Sequence, residues 1–379
     1  MSVVYKKLEE VCEILDSQRI PITAKDRKVG QYPYYGANGL QDYVAEYIFD
    51  DELVLLAEDG GNFGSTDRPI AYRVSGKCWV NNHAHVLKAK PCIDIDYLGY
   101  SLMFYDTSGL VNGATRQKLT QAAMREMKIP YRNSAEQKEI VRKIDAVFCL
   151  IEKRQLELHH LDQLVKSRFV EMFGDPELNP YGWVCLPLSA LVTVEPQNGL
   201  YKPQSDYVQD SSGVPILRID AFYNGKVTDF QSLRRLNCSD IERERYLLRE
   251  NDIVINRVNS IEYLGKCALI RGMLEGTVFE SNMMRFHLDE SIIDAGFAVH
   301  LLCTQYIYKQ IINRAKKSVN QASINQGDVM RFQMLVPPLI LQRQFVTFVE
   351  QVDKSKLAVK QSLEKLETLK KSLMQQYFG

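Results

Sequence analysis

The sequence has no apolar run near the roughly 18 residues needed to cross a bilayer, so no membrane span is expected. Its start has no charged-then-apolar leader pattern, so a secreted protein is not expected either. It has 8 cysteines but no Cys-x-x-Cys pair. Cys12, Cys78, Cys92, Cys149, Cys185, Cys238, Cys267 and Cys303 are scattered singly, as in reduced thiols of a cytoplasmic protein. A zinc site or a disulfide frame is not expected. Charge of one sign is not in excess: 47 Lys and Arg balance 47 Asp and Glu. A protein that coats nucleic acid non-specifically is basic. Any basic surface here must therefore be local, or a partner must supply part of the backbone clamp.

Signatures of catalysis are also missing. There is no Gly-Lys-Ser/Thr phosphate loop, which argues against an ATP motor. Asn179-Pro180-Tyr181 lacks the second proline of the Asn/Asp-Pro-Pro-aromatic motif that holds a flipped base, and it reads as a turn. Asp59-Gly60-Gly61-Asn62-Phe63-Gly64 follows a strand-like run, but no amphipathic helix follows it, as a cofactor loop requires. Asp175-Pro176-Glu177 has no lysine nearby and reads as a linker rather than as nuclease carboxylates.

What is present is a globular mix, 45% hydrophobic and 25% charged. The 379 residues suggest two or three domains at about 150 each. The chain also repeats itself. Shifted by 205, residues 115–174 align without a gap onto 320–379. The identities include Gln121/Gln326, Gln137/Gln342, Leu158/Leu363, Leu161/Leu366, Phe173/Phe378 and Gly174/Gly379.

Most of these identities fall at helical spacing. Ile140, Ile144, Val147, Ile151, Arg154, Leu158, Leu161, Val165, Arg168 and Met172 step by four and three throughout. Phe345, Val349, Val352, Lys356, Val359, Leu363, Leu366, Lys370, Leu373 and Tyr377 step identically. Such a seam predicts two long helices paired as a coiled coil. Gly174 before Asp175-Pro176 is a stop signal. Each polar seam residue aligns with an apolar one in the other copy. An antiparallel pair would let these long stems cross the seam and keep their charges at its edge.

Before each helix lie short β-type runs, at 53–56, 79–87 and 253–255, broken by Gly, Asn and Pro turns. At an offset of 200, Glu52-Leu53-Val54-Leu55 matches Asp252-Ile253-Val254-Ile255, and Asn82 matches Asn282. Each half thus reads as a mixed α/β globule followed by a long helix. The predicted domains are 1–130, 131–174, 175–335 and 336–379, globule and helix in turn.

The segments that close each globule carry a resemblance. They are Gly113-Ala114-Thr115-Arg116-Gln117-Lys118-Leu119, Lys128-Ile129-Pro130 and Glu136-Gln137-Lys138-Glu139-Ile140-Val141, then Asn320-Gln321-Ala322-Ser323-Ile324-Asn325, Leu335-Val336-Pro337-Pro338-Leu339 and Gln342. With the twofold layout, they resemble the specificity subunits of Type I restriction–modification systems, over the whole chain. The resemblance implies an α+β fold, with two mixed α/β target-recognition domains in pseudo-two-fold arrangement. Two long antiparallel coiled-coil helices join them as a spacer. It implies a non-catalytic subunit that reads a bipartite target in double-stranded DNA. Two methyltransferase (M) subunits would dock on it and carry the S-adenosylmethionine, with restriction (R) subunits joining. No cofactor is then expected in this chain. An enzyme with its own unrecognised site is the alternative, and a protein-only coiled-coil adaptor a third.

Clustered Lys, Arg and amide residues suit phosphate contact and base-edge reading. Arg116 and Lys118 in one half, and Arg314, Lys316, Lys317 and Gln321 in the other, lie near the globule exits. Arg73, Lys77, Arg257 and Lys266 lie beside Gly- or Asn-rich turns. Tyr34, Tyr35, Tyr201 and Lys202 flank further turns. His83 and His85 would share one face of a strand over 79–87, as two metal ligands could, but no third ligand is apparent nearby. A strand in a polar pocket is the plainer reading, and a DNA-facing strand the next.

Overall fold

The computed structural model describes residues 4–113, 116–273, 275–319 and 321–379. Ala114, Thr115 and Asn320 of the closing segments lie outside the described residues. The chain forms two compact units, Met1–Leu158 with Ala358–Gly379, and His159–Leu357. Among the described residues no helix is long and apolar enough to cross a membrane.

Unit 1 is built on a six-stranded sheet. Its order is Cys12–Ile14, Ala84–Ala89, Phe49–Ala57, Ala71–Val80, Val29–Gly36 and Gly39–Val44. Its pairings are antiparallel except that of Val29–Gly36 with Ala71–Val80, which is parallel. The central strand Phe49–Ala57 is apolar on both faces from Leu53 to Ala57, where both faces are covered. Val54 and Leu56 pack with Tyr97, Leu98 and Leu102 of the helix Ile95–Met103. Leu53 and Leu55 alternate to the other side, against Val74, Val80 and Val86. Asp94 starts that helix by accepting hydrogen bonds from the N–H groups of Asp96 and Tyr97. An antiparallel pair, Val4–Lys7 with Lys128–Tyr131, then delivers the chain into the long helix Ser134–Phe173.

Unit 2 repeats this plan. Its six strands run Val192–Asn198, Met283–Leu288, Ile253–Asn256, Cys267–Leu269, Gly225–Val227 and Phe222–Tyr223. Ile253 and Ile255 face Phe297, Ala298 and Leu301 of the helix Ala295–Leu302, which Asp294 caps as Asp94 does in unit 1. Val254 faces Leu217, Phe222 and Phe279 on the other side. The pair Val184–Pro187 with Gln333–Val336 leads into the second long helix, Leu339–Phe378.

This burial pattern corrects the expected offset of 200. Val54 faces the helix and Val254 does not, so they are not equivalent. Val54 and Leu56 correspond instead to Ile253 and Ile255, an offset of 199. A slip of one residue turns every strand side chain to the other face, so sheet packing fixes the register where sequence likeness misplaced it. The run 79–87 is corrected too. It is the end of one strand and the start of another, broken at a turn where the Asn81 side chain accepts from the His83 N–H at 2.8 Å.

Both long helices contribute to each unit, and every seam residue is buried or half-buried. Phe169, Phe173, Val346 and Met374 are buried beyond the seam, because the globules cover a second stripe of the helices. Within unit 2 the Lys356 Nζ reaches Asp162 Oδ1 at 2.5 Å, and the Arg168 guanidinium lies 5.8 Å from the centre of the Phe348 ring. Within unit 1 the Lys370 Nζ lies 5.6 Å from the centre of the Phe148 ring, and Lys143 sits beside Tyr377. Numbering falls on one helix as it rises on the other, so the helices of the pair run antiparallel. The polar seam residues place their charges at its edge, with Arg154 and Arg168 bonded to Glu157 and Glu171 on their own helix at 2.6 and 2.8 Å. The first helix stops at Phe173, and Gly174 follows with φ of 78°, where a Cβ would also collide with Pro180.

Candidate nucleic-acid interface

Each central strand ends in the same backbone arrangement. In unit 1 the Glu58 and Asp59 N–H groups both donate to the His83 carbonyl, at 2.9 and 3.4 Å. In unit 2 the Arg257 and Val258 N–H groups both donate to the Asn282 carbonyl, at 2.8 and 3.4 Å. A hairpin then crosses this end. Val111–Asn112 pairs with Lys118–Leu119, and Lys118 also bridges to Asp59. Lys316–Lys317 pairs with Ala322–Ser323, which in turn pairs with Val258–Asn259. The Leu119 N–H closes on the Glu58 carbonyl at 2.7 Å, and the Ile324 N–H on the Arg257 carbonyl at 3.0 Å. Gly113 turns the first hairpin with φ of 105°, and a side chain there would strike the Arg116 carbonyl.

The side chains on this shared backbone differ. In unit 1, Arg116 Nη2 donates to Asp59 Oδ1 at 2.6 Å, and His83 Nδ1 lies 2.7 Å from the same oxygen. Lys118 bonds Glu58 at 3.0 Å, and Arg19 bonds the other Glu58 oxygen at 2.6 Å. Burial pushes the Glu58 carboxyl up, but hydrogen bonds from Arg19 and Lys118 outweigh it and hold the group below the usual carboxylate range. In unit 2 the corresponding places hold Arg257, Val258, Asn282 and Ser323, and Arg257 donates to the Ser281 carbonyl at 3.0 Å.

His85 lies behind the hairpin and is buried. Its Nδ1 is 2.7 Å from Asp16 Oδ2 and its Nε2 is 3.0 Å from the Leu119 carbonyl oxygen. Asp16, Glu58 and His85 could together hold a metal ion by distance, a set that takes one of the two expected histidines and two carboxylates. Their ligand atoms are already engaged, however. Asp16 accepts from Val86 N–H and Gln121 Nε2, each at 2.9 Å, and Arg19 lies against both carboxylates. Burial pushes the Asp16 carboxyl up, and His85, Val86 and Gln121 more than offset it, so it stays low. The trio is a satisfied polar core that positions the hairpin. His83 does not join it; half-exposed in the turn, it belongs to the Arg116–Asp59 cluster.

The remaining basic residues are dispersed. Arg73 bonds Asp96 through Nε and Glu52 through Nη2, both at 2.6 Å, which ties the helix Ile95–Met103 to the sheet. Lys77 lies 4.7 Å from the centre of the Tyr47 ring and pairs with Asp50 in the sheet, at the opposite end of the strand Phe49–Ala57 from Arg116's partner Asp59. Lys266 donates to the Ile219 carbonyl at 2.6 Å and lies 3.9 Å from the centre of the Tyr223 ring; burial lowers its pKa. Arg314 donates to the Gln310 carbonyl at 3.0 Å. Lys316, Lys317 and Gln321 are exposed on the second hairpin. Tyr34 is buried beneath Arg27, and Lys202 bonds Glu242 at 3.0 Å. The hairpins thus gather Arg116 with Lys118, and Lys316 and Lys317 with Gln321. Sequence reasoning missed Glu58, Asp59 and Arg19, whose partners lie dozens of residues away; the clue was Glu58-Asp59 directly after a strand-like run.

A model of the family described as Type I restriction modification DNA specificity domain matches residues 2–160 and 180–369. A Haemophilus influenzae protein provisionally assigned as a type I restriction enzyme specificity subunit is 37% identical over 148 residues, 39% of this chain and 38% of that protein. The chain therefore spans well under half of that relative in this match. The EcoKI specificity subunit of Escherichia coli is 23% identical over 350 residues, 86% of this chain and 74% of that one. A crystal structure of a type I restriction–modification S subunit from M. genitalium has the same fold, with a TM-score of 0.62 at 14% identity, covering 100% of this chain and 96% of that one.

Proposed function

Because the chain belongs to the family of Type I restriction–modification DNA specificity domains, we propose that it is the DNA-reading subunit of a Type I restriction–modification complex. It recognises a target in two parts, one through each globule, and performs no chemistry itself. Two methyltransferase subunits, which hold the S-adenosylmethionine, assemble on it, and restriction subunits join them in the cytoplasm. The observation that carries this reading is the repeated hairpin. One backbone arrangement, bonded alike in both units, presents Arg116 and Lys118 in the first and Gln321 and Ser323 in the second. A common frame with unlike polar side chains suits two different half-sites of one duplex. The zero net charge fits a subunit that relies on partners for much of its grip on the phosphates.

Methylome sequencing of cells with and without the gene tests this. A split methylated motif should be lost with the gene, and an unchanged methylome overturns the reading. Exchanging residues 1–130 for those of another family member should change one half-site only. A change in both would refute one reader per globule.

A further inference from the structure

We propose that Arg116 and Gln321 occupy one and the same base-reading position in the two units, Arg116 for a guanine and Gln321 for an adenine. The inference rests on the reading of the chain as a DNA-recognition subunit, and goes beyond it by naming two residues and the bases they select.

The hydrogen bonds that fix the hairpins make Lys118 and Ser323 equivalent, since Lys118 bridges to Asp59 and Ser323 pairs with Val258. Arg116 and Gln321 stand two residues before them. Both are exposed, and the Arg116 side chain is 59% accessible. The residues behind them change together with them. Arg116 is backed by the carboxylate of Asp59 at 2.6 Å, and the place of Asp59 in unit 2 is taken by the apolar Val258. In unit 1 a cation bonds an anion, and in unit 2 the two equivalent places hold an amide and an uncharged side chain.

This is the pairing that base reading requires. Asp59 takes a hydrogen of Nη2, with His83 Nδ1 3.3 Å from the same nitrogen, and so holds the guanidinium plane, which leaves the Nη1 hydrogens to reach a guanine O6/N7 edge. A glutamine carries one donor and one acceptor side by side, the complement of adenine N7 and N6, and needs no counter-charge. A pure phosphate contact would not call for exchange of the point of charge for an amide, because an amide gives no net attraction to the backbone.

The test uses the assembled complex with its methyltransferase subunits and reads the methylated motif. Arg116→Gln should convert one G·C requirement in one half-site to a preference for A·T, with discrimination of roughly 5- to 150-fold, the range for one bidentate pair. Gln321→Arg should do the reverse in the other half-site. Asp59→Asn, which loosens the guanidinium, should relax the same position that Arg116→Gln changes. An unchanged motif with methylation slowed equally at every site would make Arg116 a phosphate contact and overturn the proposal. An unchanged motif at full rate would overturn it as well. Both results leave the DNA-recognition reading standing. That reading fails instead if the complex with the unaltered chain methylates no defined motif. If Arg116→Gln does not assemble, Gln321→Arg decides the matter alone.

Discussion

Gln137 and Gln342 do the same work at the start of the two long helices. Gln137 Oε1 accepts from the Asp94 N–H at 2.7 Å, and Gln342 Oε1 from the Asp294 N–H at 2.8 Å. Gln137 Nε2 donates to the carbonyls of Cys92 and Arg132 at 3.3 and 2.8 Å, and Gln342 Nε2 to those of Ile292 and Pro337 at 3.3 and 2.7 Å. Each amide ties its long helix both to the cap of the globule's packing helix and to the segment that enters it. Both glutamines are buried, so each bond lost leaves a backbone group without water to replace it.

Gln137→Ala and Gln342→Ala should each destabilise the fold by about 3 kcal/mol, from several unpaired groups at about 1–3 kcal/mol apiece. Denaturant unfolding measures this. A loss of under about 0.5 kcal/mol, the size of an ordinary surface change, would show that the bracket is not structural.

Arg73 and Arg116 should separate stability from recognition. Arg73 has its Nε and Nη2 engaged by Asp96 and Glu52, so Arg73→Ala should lower stability by about 1–2 kcal/mol and leave the methylated motif intact. Arg116→Ala should change stability little and weaken specific DNA binding by roughly 1–3 kcal/mol. Thermal melting with competition binding distinguishes them, and the opposite pattern would exchange their roles.

Burial depresses His300 from 6.5 to about 4, and the nearby Lys226 adds to this against the opposing charge of Asp353. The ring packs edge-on at 5.3 Å from Phe345. The folded protein therefore refuses a proton that the unfolded chain accepts. Its full contribution is present above pH 6.5 and is lost as the pH falls towards about 4, an effect of about 3 kcal/mol. His300→Phe should flatten the stability profile across that window. An equally steep loss in the variant would place the acid sensitivity elsewhere.

Phe173 lies 4.8 Å from Phe297 and 5.6 Å from Phe345, centre to centre, and is 1% exposed. Phe173→Ala should cost about 3–5 kcal/mol through the cavity it leaves. Phe173→Leu should lose distinctly less. Equal losses would mean that the cluster tolerates any vacancy alike.

Lys356 crosses the seam with its side chain 20% exposed and its charge on Asp162. Lys356→Leu should alter stability by less than about 1 kcal/mol, because Asp162 is exposed and loses only a surface partner. Lys356→Asp would set two carboxylates together and should be clearly worse. If Lys356→Leu is as damaging as Lys356→Asp, the ion pair rather than the stem holds the seam.

The doubling of the chain, the two long helices, their seam and the stop at Gly174 were legible before any fold was known. These depend on local backbone periodicity and on glycine's freedom at positive φ, both written in residues close to one another. Packing decided the rest. Register against the sheet moved the equivalence of the halves from an offset of 200 to 199, because side chains that look alike in sequence face opposite sides once the strand is paired. Tertiary contact likewise divided the basic residues that composition leaves alike. It drew Arg73 into the tie between helix and sheet and set Arg116 on Asp59, 57 residues away in the chain. Side-chain charge is a property of the residue, but what it is available to bind depends on which distant groups the fold brings to it.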